Sequence, residues 1–188
     1  MKDFFARSMT SFFKWIADTF FAKRYGHRAV VLETVAAVPA MVAGMLLHLK
    51  SLRGLRSDYD FYIDQMLEEA KNERMHLMFF LDISKPNVFE RGLIVTAQFI
   101  FWHFYLILYI CAPKTAHRMV HYFEEEAVNS YTQYLSLVTS GKIKDVECPE
   151  SARNYYGLGR EAKLSTLIYD VRAEEQRHAG ANVKLALE

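Results

Sequence analysis

The sequence predicts an all-α chain in which four helices form a bundle and two further helices present apolar surfaces. Three observations support this prediction. Four long segments each carry a central Glu or a Glu-x-x-His pair, two other segments are rich in aromatic and aliphatic residues, and Gly or Pro separates several of the segments. The length of 188 residues fits one domain, numbered 1–188, with a substantial buried core.

Composition limits the class of partner. The chain is 52% hydrophobic and 14% aromatic, and its formal net charge is +1. Nothing in this balance suggests nucleic-acid binding, whereas the apolar fraction is high for a soluble helical protein, so a membrane is the expected partner. The two cysteines, Cys111 and Cys148, form no C-x-x-C motif and are expected to be ordinary buried thiols.

The first predicted element is a helix over residues 4–22 that lies in a lipid interface. Its apolar members are mainly phenylalanines, and Arg7, Lys14 and Asp18 interrupt them. These charges leave apolar runs too short to cross a bilayer, while the aromatic side suits an interfacial helix. An ordinary packing helix is the alternative for this segment.

The first bundle helix is predicted over residues 27–55, after a break at the Gly26 region. Glu33 precedes a run of small apolar residues, which indicates a buried face on which this carboxylate needs a counter-charge to stay ionised. Pro39 should kink the helix because it removes a backbone hydrogen bond.

Two helices are predicted next, over residues 58–81 and 88–112. The first holds Glu73 and His76 at its centre and ends before Pro86. The second is the most apolar part of the chain, and hydropathy alone would make it a transmembrane helix.

The helix predicted over residues 115–140 contains three consecutive acids, Glu124 to Glu126. Helical periodicity selects among them, because one stripe of the helix is formed by His117, His121, Glu124, Val128 and Tyr131. Glu124 is therefore the acid expected to face the core. A loop-rich segment, 141–159, precedes the last helix at 162–187.

The acids and histidines follow the order Glu, Glu-x-x-His, Glu, Glu-x-x-His. Residues i and i+3 lie on one helical face about 5 to 6 Å apart and can hold one ion together. Carboxylate bundles with two metal ions use this set, one Glu from each of two helices and one Glu-x-x-His pair from each of the others. The sequence thus predicts a ferritin-like four-helix bundle whose metal ligands are Glu33, Glu73, His76, Glu124, Glu175 and His178. Four solvated helix faces with unrelated acids are the alternative.

The ligand set also decides where the apolar segment 88–112 lies. A single crossing of the bilayer would leave Glu33, Glu73 and His76 on one side and the remaining ligands on the other, so that no shared site could form. The segment is therefore predicted to be a crossover helix that lies in one leaflet, beside the aromatic face of residues 4–22.

At these residues the chain resembles the alternative oxidases, the non-haem di-iron quinol oxidases of respiratory membranes. The likeness runs from about Lys14 to His178, and the matching stretches are Leu32-Glu33-Thr34, Asn72-Glu73-Arg74-Met75-His76, Glu124-Glu125-Glu126-Ala127 and the final Glu-x-x-His. The resemblance implies that the six ligands hold two Fe ions and that Tyr131 is catalytic beside them. It also implies a set of residues that orient the ligands, namely Asn72, His117, Tyr155, Arg172 and Glu174.

The resemblance further implies a quinol site formed by Arg28, Glu126, Ser130, Asp18 and Lys14. Ser130 stands where most members have Thr, which keeps the hydroxyl. Lys14 replaces a usual Arg, which removes a bidentate contact. Glu174 stands where the family generally has Asp, whose side chain is one methylene shorter.

The activity implied by the resemblance is that of a ubiquinol:oxygen oxidoreductase. Two ubiquinols would reduce one O₂ to two waters, without proton pumping and in the presence of cyanide. The enzyme is expected in one leaflet, on the cytoplasmic face of a bacterial inner membrane or the matrix face of the mitochondrial inner membrane, and as a homodimer. A plastoquinol-type terminal oxidase, a ferritin-like di-iron protein and a membrane-associated interaction protein without metal are the alternatives.

Overall fold

The fold was established from a computed structural model, which describes residues 2–21 and 24–187. In chain order the helices are α1 (Lys2–Phe21), α2 (Tyr25–Gly54), α3 (Asp60–Ile83), α4 (Val88–Cys111), α5 (Pro113–Thr139), α6 (Glu150–Tyr156) and α7 (Leu164–Leu187). Within these described residues there is no strand, and the β-structure is one isolated bridge between Glu147 and Lys163. The prediction of an all-α chain is confirmed. The predicted end of the first helix, at Ala22, falls outside the described residues.

Helix α6 lies in the segment that was predicted to be loop-rich. Pro149 precedes its first turn, and Gly157 ends it with a φ of 67°, a left-handed conformation that glycine adopts without a Cβ clash. Its length of 7 residues is too short for an apolar period to be visible in the sequence.

The prediction that both thiols are buried was wrong, since Cys148 is buried but Cys111 is exposed at the end of α4.

The bundle consists of α2, α3, α5 and α7, in which α2 packs against α3 and α5 packs against α7. One apolar core lies between all four helices. Its fully buried members include Val30, Phe79, Phe80, Leu167 and Ile168. Burying an aliphatic or aromatic side chain of this size contributes about 1.5–3 kcal/mol, so this cluster supplies much of the energy that holds the four helices together. Pro39 is buried inside α2, which continues to Gly54.

A second apolar core joins the bundle to α1 and α4, and it contains Ala6, Val38, Val42, Phe101, Tyr105, Ala116, Met119 and Val120. The ring of Phe13 on α1 meets Phe101 on α4 edge to face, with centroids 5.5 Å apart. This contact joins the two apolar helices through their side chains, while α1 packs mainly against α5 and α4 mainly against α2.

The outward faces of α1 and α4 remain apolar. Phe4 and Trp15 on α1 are exposed, as are Phe89, Phe99 and Ile107 on α4. Both α2 and α4 are long and apolar enough to cross a membrane, but 56% of the apolar window of α2 is buried and only 11% of that of α4. Much of the apolar surface of α2 is therefore buried against other helices. Most of the apolar surface of α4 faces outward, as expected of a helix in contact with lipid.

A buried carboxylate ties the beginning of α4 to the junction between α1 and α2. Glu90 accepts a hydrogen bond from the Asn87 backbone N–H at 2.9 Å, and the Asn87 side chain accepts one from the Glu90 N–H, which forms a capping box. Arg24 forms an ion pair with Glu90 at 2.7 Å, and His27 approaches it at 3.1 Å. Burial opposes ionisation of Glu90, but the hydrogen bond and these two cations outweigh it and lower the pKa.

Replacing Glu90 by Gln should destabilise the protein by about 1–3 kcal/mol at neutral pH, because a buried charge-assisted interaction is lost. The folded-state pKa lies below the ordinary value of 4.5. The stabilisation is therefore complete above that value and disappears as the pH falls through the lower folded pKa. Thermal unfolding followed by circular dichroism at several pH values measures the difference. The exposed Asp64→Asn variant serves as the control, and equal melting temperatures for Glu90→Gln and wild type at pH 7 would contradict the proposed tie.

Candidate metal centre and adjoining cavity

The six predicted ligands lie together in two overlapping groups. One group is Glu33, Glu73, His76 and Glu175, and the other is Glu73, Glu124, Glu175 and His178. Within each group the potential ligand atoms all lie within 4.8 Å of one another, and every member is buried. Glu73 and Glu175 belong to both groups, so each of these carboxylates is placed where it can bridge two ions.

Helix geometry brings these side chains to one place. Glu73 and His76 share one face of α3, and Glu175 and His178 share one face of α7, because residues three apart are neighbours on a helix. The Nδ1 atom of His76 lies 3.0 Å from Glu175 Oε1, and that of His178 lies 2.8 Å from Glu73 Oε1. Both imidazoles therefore direct Nδ1 at the carboxylates of the opposite helix.

These close approaches lack hydrogen-bond geometry. Within the described part of the chain, the buried atoms that have no hydrogen-bond partner include Glu33 Oε2, both carboxylate oxygens of Glu73, His76 Nδ1, Glu175 Oε1 and His178 Nδ1. A buried polar atom without a partner costs about 1–3 kcal/mol, and native structures contain few of them. Their convergence on one volume fits a site whose missing interactions are supplied by metal ions.

The electrostatics of the cluster also require cations. Burial raises the pKa of Glu73 and Glu124, and the nearby charge of Glu175 raises both further. Carboxylates at this spacing cannot all ionise in a buried volume without positive charge beside them. Two divalent ions would neutralise the four carboxylates of the two groups. The arrangement is therefore chemically suited to a pair of divalent metal ions.

Tyr131 contacts this cluster directly. Its hydroxyl donates a hydrogen bond to Glu33, and its ring stacks on Phe80 with centroids 5.6 Å apart. Burial, together with the charge of Glu33, holds the phenol pKa well above its usual value, so Tyr131 keeps its proton. The structure thus places this predicted tyrosine against a candidate ligand.

Glu174 makes the hydrogen bond that its extra methylene had put in question. Its Oε2 lies 2.7 Å from His76 Nε2, on the side of the imidazole ring that faces away from the cluster. Tyr156 donates to the same oxygen at 2.6 Å. The sequence did not single out Tyr156; its only signal was its position beside Tyr155, within a segment predicted to be a loop.

Asn72 and Arg172 differ in their relation to the cluster. Asn72 is buried beside Glu73 and accepts a hydrogen bond from the Tyr155 hydroxyl at 2.7 Å. Arg172 instead reaches outward, where it bonds Thr132 at 3.4 Å and lies over the ring of Tyr169. Among the described contacts, those of Arg172 are thus with the surface of the bundle and not with the candidate ligands.

His117 belongs to a second buried polar group that the sequence did not reveal. Its Nδ1 lies 2.8 Å from Asn182 Oδ1, and the Asn182 amide donates to Glu69 Oε1 at 3.0 Å and to the His178 carbonyl at 3.1 Å. Glu69 lies four residues before Glu73, and Asn182 lies four residues after His178, so helical spacing could have indicated both.

A cavity of about 170 Å³ lies between α1, α2, α4 and α5. Its lining is mostly apolar, and the polar members include Lys14, Arg28, Glu124 and Glu126. Because Glu124 belongs both to this lining and to the metal-ligand cluster, the cavity adjoins the candidate metal centre.

Three of the predicted quinol-site residues line this cavity, and a fourth, Asp18, is paired with one of them. Lys14 on α1 pairs with Glu126 on α5, and Arg28 on α2 pairs with Asp18 on α1. The fifth residue, Ser130, lines a smaller cavity of about 30 Å³ that also contacts Glu33, Tyr131 and Glu175. The predicted residues thus divide between two adjoining cavities.

Comparison with known proteins identifies the relatives of this chain. It is 47% identical over 182 residues to ubiquinol oxidase 1c, mitochondrial, of Arabidopsis thaliana, an alignment that covers 97% of this chain and 55% of the relative. It is 46% identical to a mitochondrial ubiquinol oxidase of Batrachochytrium dendrobatidis, with 97% of this chain and 57% of the relative covered. The chain therefore spans about half the length of the curated relatives it matches.

The family comparison agrees with these pairwise similarities. A sequence profile described as Alternative oxidase matches residues 1–187. The match includes all six residues of the buried Glu and His cluster and every helix of the fold. On this evidence the chain belongs to the alternative oxidase family.

Proposed function

We propose that this chain is a di-iron ubiquinol oxidase that reduces O₂ to water at the buried Glu and His cluster. The observation that carries the proposal is the convergence of unpartnered carboxylate oxygens and imidazole nitrogens in two groups that share Glu73 and Glu175. The names of the relatives, ubiquinol oxidases, supply the substrate class.

Two iron ions are the metals that this site suits. Glu33 and His76 would hold one ion, Glu124 and His178 the other, and Glu73 and Glu175 would bridge them. When bound, the iron pair supplies the redox chemistry for O₂ reduction. Four carboxylates balance the charge of two ferrous ions, so that the loaded site is neutral and tolerates burial.

The cavity beside Glu124 is the proposed place for the quinol. Its apolar lining suits an aromatic ring with an isoprenoid tail, and Arg28 can donate hydrogen bonds to a quinol oxygen. Glu126 can accept a proton from a quinol hydroxyl. Each quinol gives up two electrons and two protons, so two quinols reduce one O₂ to two waters and leave two quinones.

Tyr131 has two tasks in this proposal. Its hydroxyl holds Glu33 in one orientation, and the protonated phenol keeps a hydrogen-bond donor at the edge of the cluster. The stacked Phe80 ring fixes the phenol and excludes water from that side. The small cavity lined by Tyr131, Ser130 and Glu175 gives O₂ a place to approach the cluster.

The membrane partner follows from the outward apolar faces of α1 and α4. With both ends of α4 on the side of the bundle, the protein would sit in one leaflet and draw quinol from the lipid into the cavity behind α1 and α4. The relatives are named mitochondrial, which supports a mitochondrial location. The proposed site is the matrix face of the inner membrane, with the cytoplasmic face of a bacterial inner membrane as the equivalent location. No helix is required to carry protons across the bilayer, so no proton pumping is expected. A homodimer is proposed as the assembly.

The metal assignment predicts about two irons per purified chain. Substituting Glu73 or Glu175 by Ala removes a bridging carboxylate, so both iron content and ubiquinol-dependent oxygen uptake should fall together. Elemental analysis and an oxygen electrode, with and without cyanide, measure the two properties. Glu125→Ala is the matched control, because Glu125 is exposed and lies next to Glu124. Full iron content and full activity in both bridging variants would contradict the assignment.

The quinol assignment makes a different prediction for Arg28. Arg28→Ala should retain iron, because Arg28 is not among the cluster ligands, but ubiquinol oxidation should fall at least tenfold as one charge-assisted contact is lost. Oxygen uptake over a range of ubiquinol concentrations separates KM from kcat. Loss of iron in this variant would show that Arg28 supports the metal site instead.

The topology of α4 can be tested with single cysteines at Lys85 and Lys114, both exposed and close to its two ends, in a Cys111→Ser background. Cys148 is buried and can remain. In membrane vesicles, a membrane-impermeant maleimide should label both positions from the same face. Opening the vesicles with detergent should not raise the labelled fraction at either position. Labelling from opposite faces would show that α4 crosses the bilayer.

A further inference from the structure

Tyr156 lies at the end of a hydrogen-bonded chain that leads to the metal cluster. Its hydroxyl donates to Glu174 Oε2 at 2.6 Å, and the same oxygen lies 2.7 Å from His76 Nε2. Arg177 donates to the other oxygen, Oε1, at 2.8 Å. Three donors thus converge on the Glu174 carboxylate, which can accept from all three of them when it is ionised.

This chain defines which nitrogen of His76 faces the metals. Because Glu174 is an acceptor, His76 must donate its Nε2–H, and Nδ1 is left with a free lone pair. That Nδ1 is one of the buried atoms without a hydrogen-bond partner, and it lies 3.0 Å from Glu175 and 3.4 Å from Glu33. Glu174 therefore orients the ring so that a basic nitrogen points into the first ligand group.

Glu174 itself needs a second anchor besides His76. Fixing a Glu side chain costs rotamer entropy, which is similar in size to what one hydrogen bond to a charged group contributes. Arg177 is 70% exposed, so its ion pair with Glu174 is screened by water and contributes little. Among the described contacts, the short hydrogen bond from Tyr156 is the other one that holds the carboxylate, and the Tyr156 hydroxyl also lies 3.3 Å from His76 Nε2.

The ring of Tyr156 is itself well held. It packs on Phe79 with centroids 5.7 Å apart and on Tyr155 edge to face at 4.9 Å. Phe79 is fully buried in the bundle core, and Tyr155 is bonded to Asn72. These contacts therefore hold the Tyr156 hydroxyl beside Glu174. Tyr156 lies on α6, outside the four helices that carry the ligands.

We propose that Tyr156 is a positioning residue for the metal centre, whose hydroxyl fixes Glu174 and, through Glu174, the orientation of the His76 imidazole. This inference rests on the proposed function only in requiring a metal ion at His76. Helix α6 thereby has a role, because it carries Tyr156, which would support one metal ligand. Partners that orient a metal-bound histidine typically change metal affinity by 10–100-fold when they are removed.

The test uses the apo-protein of the full chain and Co²⁺, a divalent probe with visible absorption bands that report the geometry of a site with nitrogen and oxygen ligands. Tyr156→Phe should weaken binding of one Co²⁺ by at least tenfold and alter its absorption bands, while the melting temperature of the apo-protein changes little. Tyr169→Phe, at an exposed tyrosine on α7, is the matched control and should bind like wild type.

A double-mutant cycle with Glu174→Gln separates positioning from general structural support. If Tyr156 acts through Glu174, adding Tyr156→Phe to Glu174→Gln should cause little further loss of Co²⁺ affinity. Glu174→Gln also serves as the test if Tyr156→Phe does not fold, because it should itself weaken binding at least tenfold.

This role alone would be overturned if a folded Tyr156→Phe protein kept the Co²⁺ affinity and spectrum of wild type. It would also be overturned if Tyr156→Phe reduced Co²⁺ affinity equally with and without Glu174→Gln. Unchanged affinity in Glu174→Gln would overturn it as well. A wild-type chain that binds no Co²⁺ and no Fe²⁺ would instead overturn the proposed metal centre, and the role of Tyr156 with it.

Discussion

Four carboxylates and two imidazoles share one buried volume, and this concentration of unpartnered polar atoms constrains the rest of the fold. Such a cluster is stable only when cations or bound protons compensate the carboxylate charge and when every side chain is held in its place. Four helices satisfy the second condition, because spacing of three residues on α3 and α7 directs a Glu and a His to one side, while α2 and α5 each add one Glu.

Around the cluster, hydrogen bonds orient the ligands from two directions. At His76 the chain runs through Glu174 to Tyr156 on α6. At His178 the backbone carbonyl is bonded by Asn182, which also joins His117 and Glu69. The two histidines are therefore supported differently, one through its imidazole nitrogen and the other through its main chain. This asymmetry gives the two proposed ions distinct environments within a ligand set that looks symmetric in the sequence.

The apolar helices are the elements that would connect this polar centre to the proposed membrane. Their inner faces form the walls of a cavity that reaches Glu124, and their outer faces remain apolar. Glu90 ties the start of α4 to Arg24 and His27, close to the lining residue Arg28. In the proposed function, the same elements would provide the surface for lipid and the route from lipid to the cluster, as expected if the reducing substrate is dissolved in the bilayer.

The sequence by itself determined the helical class and the residues that form the cluster, because both depend on local spacing. Glu124 could be chosen over Glu125 and Glu126 from one helical stripe, and it is the buried member of the three. The tertiary structure alone decided that Glu73 and Glu175 are shared, that Tyr156 reaches Glu174, and that Asp18 pairs with Arg28. These relations join different helices, and a bond such as that of His76 to Glu174 links residues 98 positions apart. Periodicity specifies which face a residue occupies, but only the packing of the helices specifies which side chain it meets there.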